Sequence, residues 1–258
     1  MSARPATRTD DAAVERLLRA GDPLPEAPSL DGELALAIPR TRAAVAASGA
    51  GRRTADEARA RAAAAGRARA GDAGPVAAFV RHPAPWGILH LAAGDRGILA
   101  IELASETGDF LDDLGRRLGG PVVPDGPGLP GAWRGALAAA ERELDEYFAG
   151  RRTTFDVPVD LAGVSAWDRL VLDGARRLSY GEVTSYGALA RAIGRPRAAR
   201  AVGGALGRNP VPLMIPCHRI VAGDGTLGGY GGGGRGARAR LLDVKRSLLA
   251  LEGVRVTG

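Results

Sequence analysis

The sequence predicts an α+β protein with two folded units behind a first segment poor in core-forming residues. Three observations carry this. Residues 1–74 hold few large apolar side chains among many charges; from Pro75 onward, apolar runs of strand length alternate with turn residues; and from Ser165 the apolar positions fall at helical spacing, with two short helices set around a Gly-Arg-Pro turn. The chain has 258 residues and a formal charge of +6, and although 45% of it is apolar, 50 residues are alanine. Only about a quarter of the chain is therefore large enough to anchor a core.

The elements follow in order. In residues 1–74, Val14, Leu17 and Leu18 share one helical face, while residues 55–70 are Ala and Arg with no apolar stripe, so this extension is expected to be partly helical or disordered. Residues 75–160 form the first unit. Strands are expected over 76–80, 86–91 and 97–103, with Gly94-Asp95 as a turn, followed by amphipathic helices over 109–118 and 132–149 and a Pro/Gly-rich loop over 119–131 between them. Residues 161–258 form the second. A helix over 165–178 turns Trp167, Leu170, Val171 and Leu178 inward, Thr184 to Ile193 reads as a capped helix ending at Gly194, and Arg195-Pro196 opens another reaching Leu206. This pair has the format of a helix-turn-helix, and its second helix is stripped of bulk by Ala198, Ala199, Ala201, Gly203, Gly204 and Ala205.

Charge divides unevenly between these units. Residues 1–74 carry 12 basic against 10 acidic residues, residues 75–159 carry 8 against 12, and residues 160–258 carry 15 against 7. So basic a final third suits a phosphate-binding surface. Because 34 of the 35 basic residues are Arg, a composition bias of the whole chain accounts for the charge equally well. The single cysteine, Cys217, excludes an internal disulfide and a cysteine-rich zinc site. With no apolar run of membrane length and no apolar signal core near Met1, a soluble cytoplasmic protein without a membrane partner is expected.

The strongest chemical signal lies in residues 209–221, NPVPLMIPCHRIV. A lone cysteine is ordinarily a small buried core residue. Here Pro216 sets a rigid turn before it, His218 follows directly, and Arg219 brings positive charge, a setting expected to favour the nucleophilic thiolate. Adjacent side chains usually diverge, so a third group is needed to orient the His218 imidazole.

Pro216-Cys217-His218-Arg219-Ile220, preceded by Gly181-Glu-Val-Thr-Ser-Tyr-Gly187 and Ala199-Arg-Ala-Val-Gly-Gly204, resembles the O6-alkylguanine-DNA alkyltransferases. The likeness is close over 165–253 and looser over 76–160. It implies a small α/β, ribonuclease H-like domain ahead of a mainly helical, winged helix-turn-helix-like catalytic domain. It also implies a monomer that uses no cofactor or metal and acts on double-stranded DNA carrying O6-alkylguanine. By the same resemblance Cys217 accepts the alkyl group irreversibly, His218 takes the thiol proton through a water and is held by Glu252, and Asn209 holds the cysteine turn. Tyr186 assists the departing guanine. Arg200 enters the base stack in place of the flipped nucleotide, and Ala199, Ala201, Gly203 and Arg219 join it at the DNA. Ile220, Tyr230 and Gly231 line the base pocket with Tyr186.

Two departures stand out. About eight residues near 234–241 look inserted between the Tyr230 glycine loop and the Lys245-Arg-Ser-Leu-Leu249 helix, where Arg235, Arg238 and Arg240 would add phosphate contacts or lengthen that helix. Ser165 to Val171 also differs from the usual pattern, a core variation expected to leave the chemistry alone. Three alternatives remain at this point: a non-catalytic lesion sensor, against which Cys217 argues; a cysteine–histidine hydrolase of small acyl substrates, which would turn over; and, more distantly, a helix-turn-helix regulator, which would bind undamaged DNA sequence-specifically.

Overall fold

A computed structural model describes residues 74–231 and 237–256, so the expectations for residues 1–73 and 232–236 lie outside the described residues. The first unit is a four-stranded sheet of β1 (Ala77–Ala84), β2 (Gly87–Gly94), β3 (Gly97–Glu102) and β4 (Val122–Pro124), in the order β3-β2-β1-β4. Antiparallel hairpins join β1 to β2 and β2 to β3, and β4 adds to β1 in parallel. The period-two alternation assigns the faces. Ala77 and Phe79 of β1 pack with Phe110 and Leu114 of α1 (Thr107–Leu118), whereas Ala78 points to the opposite face, which α2 (Gly131–Phe148) covers through Leu137, Ala140 and Leu144. The loop expected over 119–131 thus hides a strand. Only three residues long and bounded by Pro121 and Pro124, β4 carries no alternation of its own, and it is held because the neighbouring β1 edge supplies its partner.

The second unit contains α3 (Ala166–Ala175), α4 (Tyr186–Ala192) and α5 (Ala199–Gly207), then a 3-10 turn at Cys217–Arg219 and α6 (Ala237–Leu251). A two-stranded parallel pairing, β5 (Thr184–Ser185) with β6 (Ile220–Val221), ties the entrance of α4 to the exit of the cysteine turn. Ser165 and Ser185 cap α3 and α4 by accepting from the backbone amides of Asp168 and Ala188. Two expectations need correction here. Arg195-Pro196 lies in the turn rather than opening a helix: Gly194 stops α4 at φ 73°, and α5 begins only after Ala198, whose amide closes a turn onto Arg195. Leu170 does not face inward but is 38% exposed, because Asp168, Val171, Leu172 and Ala175 take the inner side of α3. Asp168 is stable there because Arg208 meets its carboxylate in a bidentate pair at 2.6 and 2.9 Å.

The two units share one core. A continuous apolar cluster runs from Leu89 and Leu144 through Tyr147 and Leu172 to Val202, Ile215 and Leu248, and the Ile101 amide donates to the Pro210 carbonyl at 2.8 Å across the junction. Sheet and cysteine turn are therefore fixed relative to each other. Among the described residues no helix is long and apolar enough to cross a membrane.

Candidate active site

Cys217 begins a single 3-10 turn that hangs from Asn209. The Asn209 side-chain amide donates to the Ile215 carbonyl at 2.9 Å and to Cys217 Sγ at 3.2 Å, while its oxygen accepts from the Val211 amide at 3.1 Å. One side chain thus closes the loop over 209–217 and points a donor at the sulfur. The sequence led us to expect an activated thiolate, but the structure reverses that expectation. Burial raises the Cys217 pKa above its ordinary value, and the Asn209 bond, the Lys245 charge and the nearby Tyr230 hydroxyl offset this only in part. The resting group is a thiol and needs a base.

His218 is fully buried and is available as that base. Its Nε2 lies 3.0 Å from Glu252 Oε1, which assigns the proton to Nε2 and leaves Nδ1 as the accepting nitrogen. Among the described residues Nδ1 has no hydrogen-bond partner, so the imidazole and the thiol are not directly bonded and the proton has to pass through a bridging water. Burial lowers the His218 pKa and the Glu252 carboxylate pulls the other way, with the net shift downward, so the ring is neutral near pH 7. For Glu252, burial alone would push the carboxyl up, yet His218 and Arg219 outweigh it and hold the group well below the ordinary range.

Arg219, which the resemblance places at the DNA, is instead buried against Glu252. Its side chain is 5% exposed and grips Glu252 through Nε and Nη2 at 2.9 and 2.8 Å, with Nη1 on the Leu178 carbonyl. A guanidinium adjacent to an unpaired buried carboxylate is drawn to it rather than to solvent.

The other face of the sulfur opens on a cavity of about 400 Å³ lined by Tyr186, Ala199, Arg200, Gly203, Cys217, Tyr230 and Gly231 among others. This brings together residues from α4, from α5 and from the glycine loop. Ala201 stays outside it, with its carbonyl accepting from the Trp167 indole, and Ile220 is fully buried behind it. Arg200 is exposed at the rim, beside the small residues of α5. The Tyr186 hydroxyl donates to the Gly229 carbonyl at 3.1 Å, and burial raises its pKa, so it stays a donor. Gly228 makes this approach possible: its φ is 68°, and a Cβ there would come within 2.9 Å of the Tyr186 ring. A larger recess of about 600 Å³ reaches Cys217 from the side of α1, but its rim is ionic, with Asp109, Asp113, Arg116 and Arg117. The first cavity, smaller and more apolar, suits a flat heterocycle.

One functional residue was missed. Lys245 is fully buried, and its ammonium donates to the carbonyls of Ile220, Leu227 and Gly229 at 2.5, 2.7 and 3.0 Å. Three donors meet three acceptors, so the lysine fixes the glycine loop and puts positive charge near the sulfur. Desolvation lowers its pKa to about 8. The signal was present in the composition: this is the only lysine in a chain with 34 arginines, placed where a planar guanidinium would not fit the same three carbonyls.

Of the insertion, 232–236 and with it Arg235 lie outside the described residues; Ala237 to Arg240 form the first turn of α6, so part of the inserted length extends that helix.

Comparison with known proteins agrees with this arrangement. Residues 83–161 match the family model for the 6-O-methylguanine DNA methyltransferase ribonuclease-like domain, and residues 166–254 match that for its DNA binding domain. A methylated-DNA–protein-cysteine methyltransferase of Mycolicibacterium paratuberculosis is 48% identical over 117 residues, 45% of this chain and 66% of that protein. The constitutive enzyme of that name from Bacillus subtilis is 42% identical over 110 residues, 43% of this chain and again 66% of its own length. The chain thus spans just under two thirds of the length of these curated relatives. The crystal structure of Mycobacterium tuberculosis OGT in complex with DNA superimposes with a TM-score of 0.54 at 35% identity, covering 68% of this chain and 92% of that one. With both domain models matched in order around the cysteine turn, the chain belongs to the O6-alkylguanine-DNA alkyltransferase family.

Proposed function

We propose that this protein repairs duplex DNA by moving a methyl or larger alkyl group from O6-alkylguanine, and more weakly from O4-alkylthymine, onto Cys217. His218 Nδ1 takes the thiol proton through a water, and Glu252 stabilises the imidazolium that forms. Sγ attacks the alkyl carbon in line, the carbon–O6 bond breaks, and its electron pair passes into the guanine ring. Tyr186 donates to that ring, and the proton released by the thiol balances the one the ring gains. The product is a thioether with no leaving group, so each molecule acts once.

The observation that carries this reading is the position of the Cys217 sulfur, between a buried base on one side and a cavity on the other whose rim is the arginine-bearing face of α5. A base inside a duplex does not reach a sulfur this deep, so the nucleotide has to be rotated out, with Arg200 filling its place. Asn209 and Lys245 hold the turn and the loop, and Ala199, Gly203, Tyr230 and Gly231 form the walls. The protein works as a cytoplasmic monomer.

The test is a count of turnovers. With excess duplex oligonucleotide containing O6-methylguanine, the yield of repaired guanine should stop at one equivalent of protein. Continued release, as a cysteine–histidine hydrolase of small acyl substrates would give with its own ester, or tight lesion binding with no repair, as in a lesion sensor, would refute the proposal.

A further inference from the structure

We propose that Tyr147, a residue of the N-terminal unit, is a positioning residue for the alkyl-transfer relay, holding the Glu252 carboxylate in register for His218 so that docking of the two units completes the site. This rests on the reading that His218 takes the thiol proton. Tyr147 lies in the last turn of α2 and is fully buried, and its hydroxyl donates to Glu252 Oε1 at 2.7 Å across 105 residues of chain. Oε1 is also the oxygen that His218 Nε2 meets and that Arg219 Nη2 bonds at 2.8 Å, whereas Oε2 accepts from Arg219 Nε and the Gly181 amide and faces neither His218 nor Tyr147. The phenol therefore acts on the half of the carboxylate that faces the relay.

Packing fixes the direction of that hydroxyl. The Tyr147 ring sits 5.7 Å from Phe148, 5.2 Å from Phe155 and 6.0 Å from Tyr180, and Tyr180 is itself tied by its hydroxyl to the Leu251 carbonyl, next to Glu252. Burial, reinforced by the Glu252 charge, holds the Tyr147 pKa well above its ordinary value, so it remains a donor throughout the working range. A donor on Oε1 withdraws negative charge from the oxygen that stabilises imidazolium. The charged groups acting on His218 are Glu252, which favours its protonation, and Arg219 and Lys245, which oppose it. Weakening the first leaves His218 a neutral acceptor over a wider pH range.

Removing the hydroxyl should therefore strengthen the pull of Glu252 and protonate His218 at higher pH. The experiment measures single-turnover alkylation of Cys217 by an O6-methylguanine duplex as a function of pH, together with thermal stability. In Tyr147→Phe the midpoint of the acid limb should rise by roughly 0.5–1 unit. Phe155→Leu, which loosens the same ring cage without touching Glu252, should lower thermal stability and leave the midpoint in place. Replacing Tyr147 by 3-fluorotyrosine strengthens the donor and should move the midpoint down; this arm decides the question if Tyr147→Phe fails to fold. An unmoved midpoint in the hydroxyl-altered proteins, or an equal shift in Phe155→Leu, overturns the inference. If the wild-type protein shows no alkylation at all, the failure belongs to the proposed function instead.

Discussion

Glu252→Gln keeps the shape of the side chain and removes its charge. In the wild type the carboxylate accepts from Arg219 at 2.8 and 2.9 Å, from His218 at 3.0 Å, from Tyr147 at 2.7 Å and from the Gly181 amide at 3.1 Å, and Glu252 is 4% exposed. Removing one partner of a buried ion pair leaves the other charge uncompensated, at about 3–5 kcal/mol. Arg219 then keeps the Leu178 carbonyl, the Tyr180 ring at 6.0 Å and a neutral amide oxygen, none of which carries a counter-charge. For a folded unit of 150–250 residues each kcal/mol moves Tm by about 2–4 °C, so the variant should melt roughly 6–20 °C lower at pH 7. Its chemistry should suffer as well. The imidazolium formed as the thiol ionises loses its counter-charge, and a general-base contribution of this kind is worth about 100-fold or more in rate. Differential scanning calorimetry and single-turnover alkylation below the melting range measure the two effects separately. A Tm within 2 °C of wild type, or an unchanged alkylation rate, would refute the claim that a buried Glu252 charge organises the site.

Three further outcomes follow from the same geometry. Lys245→Arg places a planar guanidinium among three carbonyls arranged for an ammonium, and alkylation should fall at least about 10-fold, one misplaced charged hydrogen bond being worth about 1.5–3 kcal/mol; wild-type activity would show that charge alone suffices. Arg200→Ala should impair repair in duplex far more than reaction with free O6-benzylguanine, and equal losses on both would remove its role in flipping. Acid should destabilise the wild type on two counts of the same sign. His218, with its folded pKa below the ordinary 6.5, withdraws stability as pH falls through that value, and Glu252, with its folded pKa below the ordinary 4.5, withdraws more as pH falls through 4.5. A Tm that holds constant from pH 7 to 4 would contradict both assignments.

Local patterns made most of the fold legible. The strands β1 to β3 announce themselves by apolar runs and turns, and α1 and α2 by spacing, since each depends on residues near in sequence. What escaped depended on partners far along the chain. β4 exists because of the β1 edge, and Asp168 occupies an inner helix position because Arg208 lies 40 residues away. The site divides in the same way. Cys217, His218 and Asn209 sit in one run of sequence whose motif is recognisable, but the state of the thiol is set by burial, which no neighbouring residue encodes. Arg219 looked like a charge for DNA because its buried partner, Glu252, is 33 residues away, and Tyr147 is more distant still. Lys245 opens the recognisable Lys-Arg-Ser-Leu-Leu run, but its role depends on carbonyls 16 to 25 residues away.

Everything in this mechanism depends on Cys217 being the permanent acceptor of the alkyl group. Intact-protein and peptide mass spectrometry after incubation with an O6-methylguanine duplex tests it most directly. One added methylene per molecule is expected, carried on Cys217 and absent from Cys217→Ala. An unmodified Cys217 in protein that has nevertheless repaired the oligonucleotide, or an adduct on another residue, would contradict it.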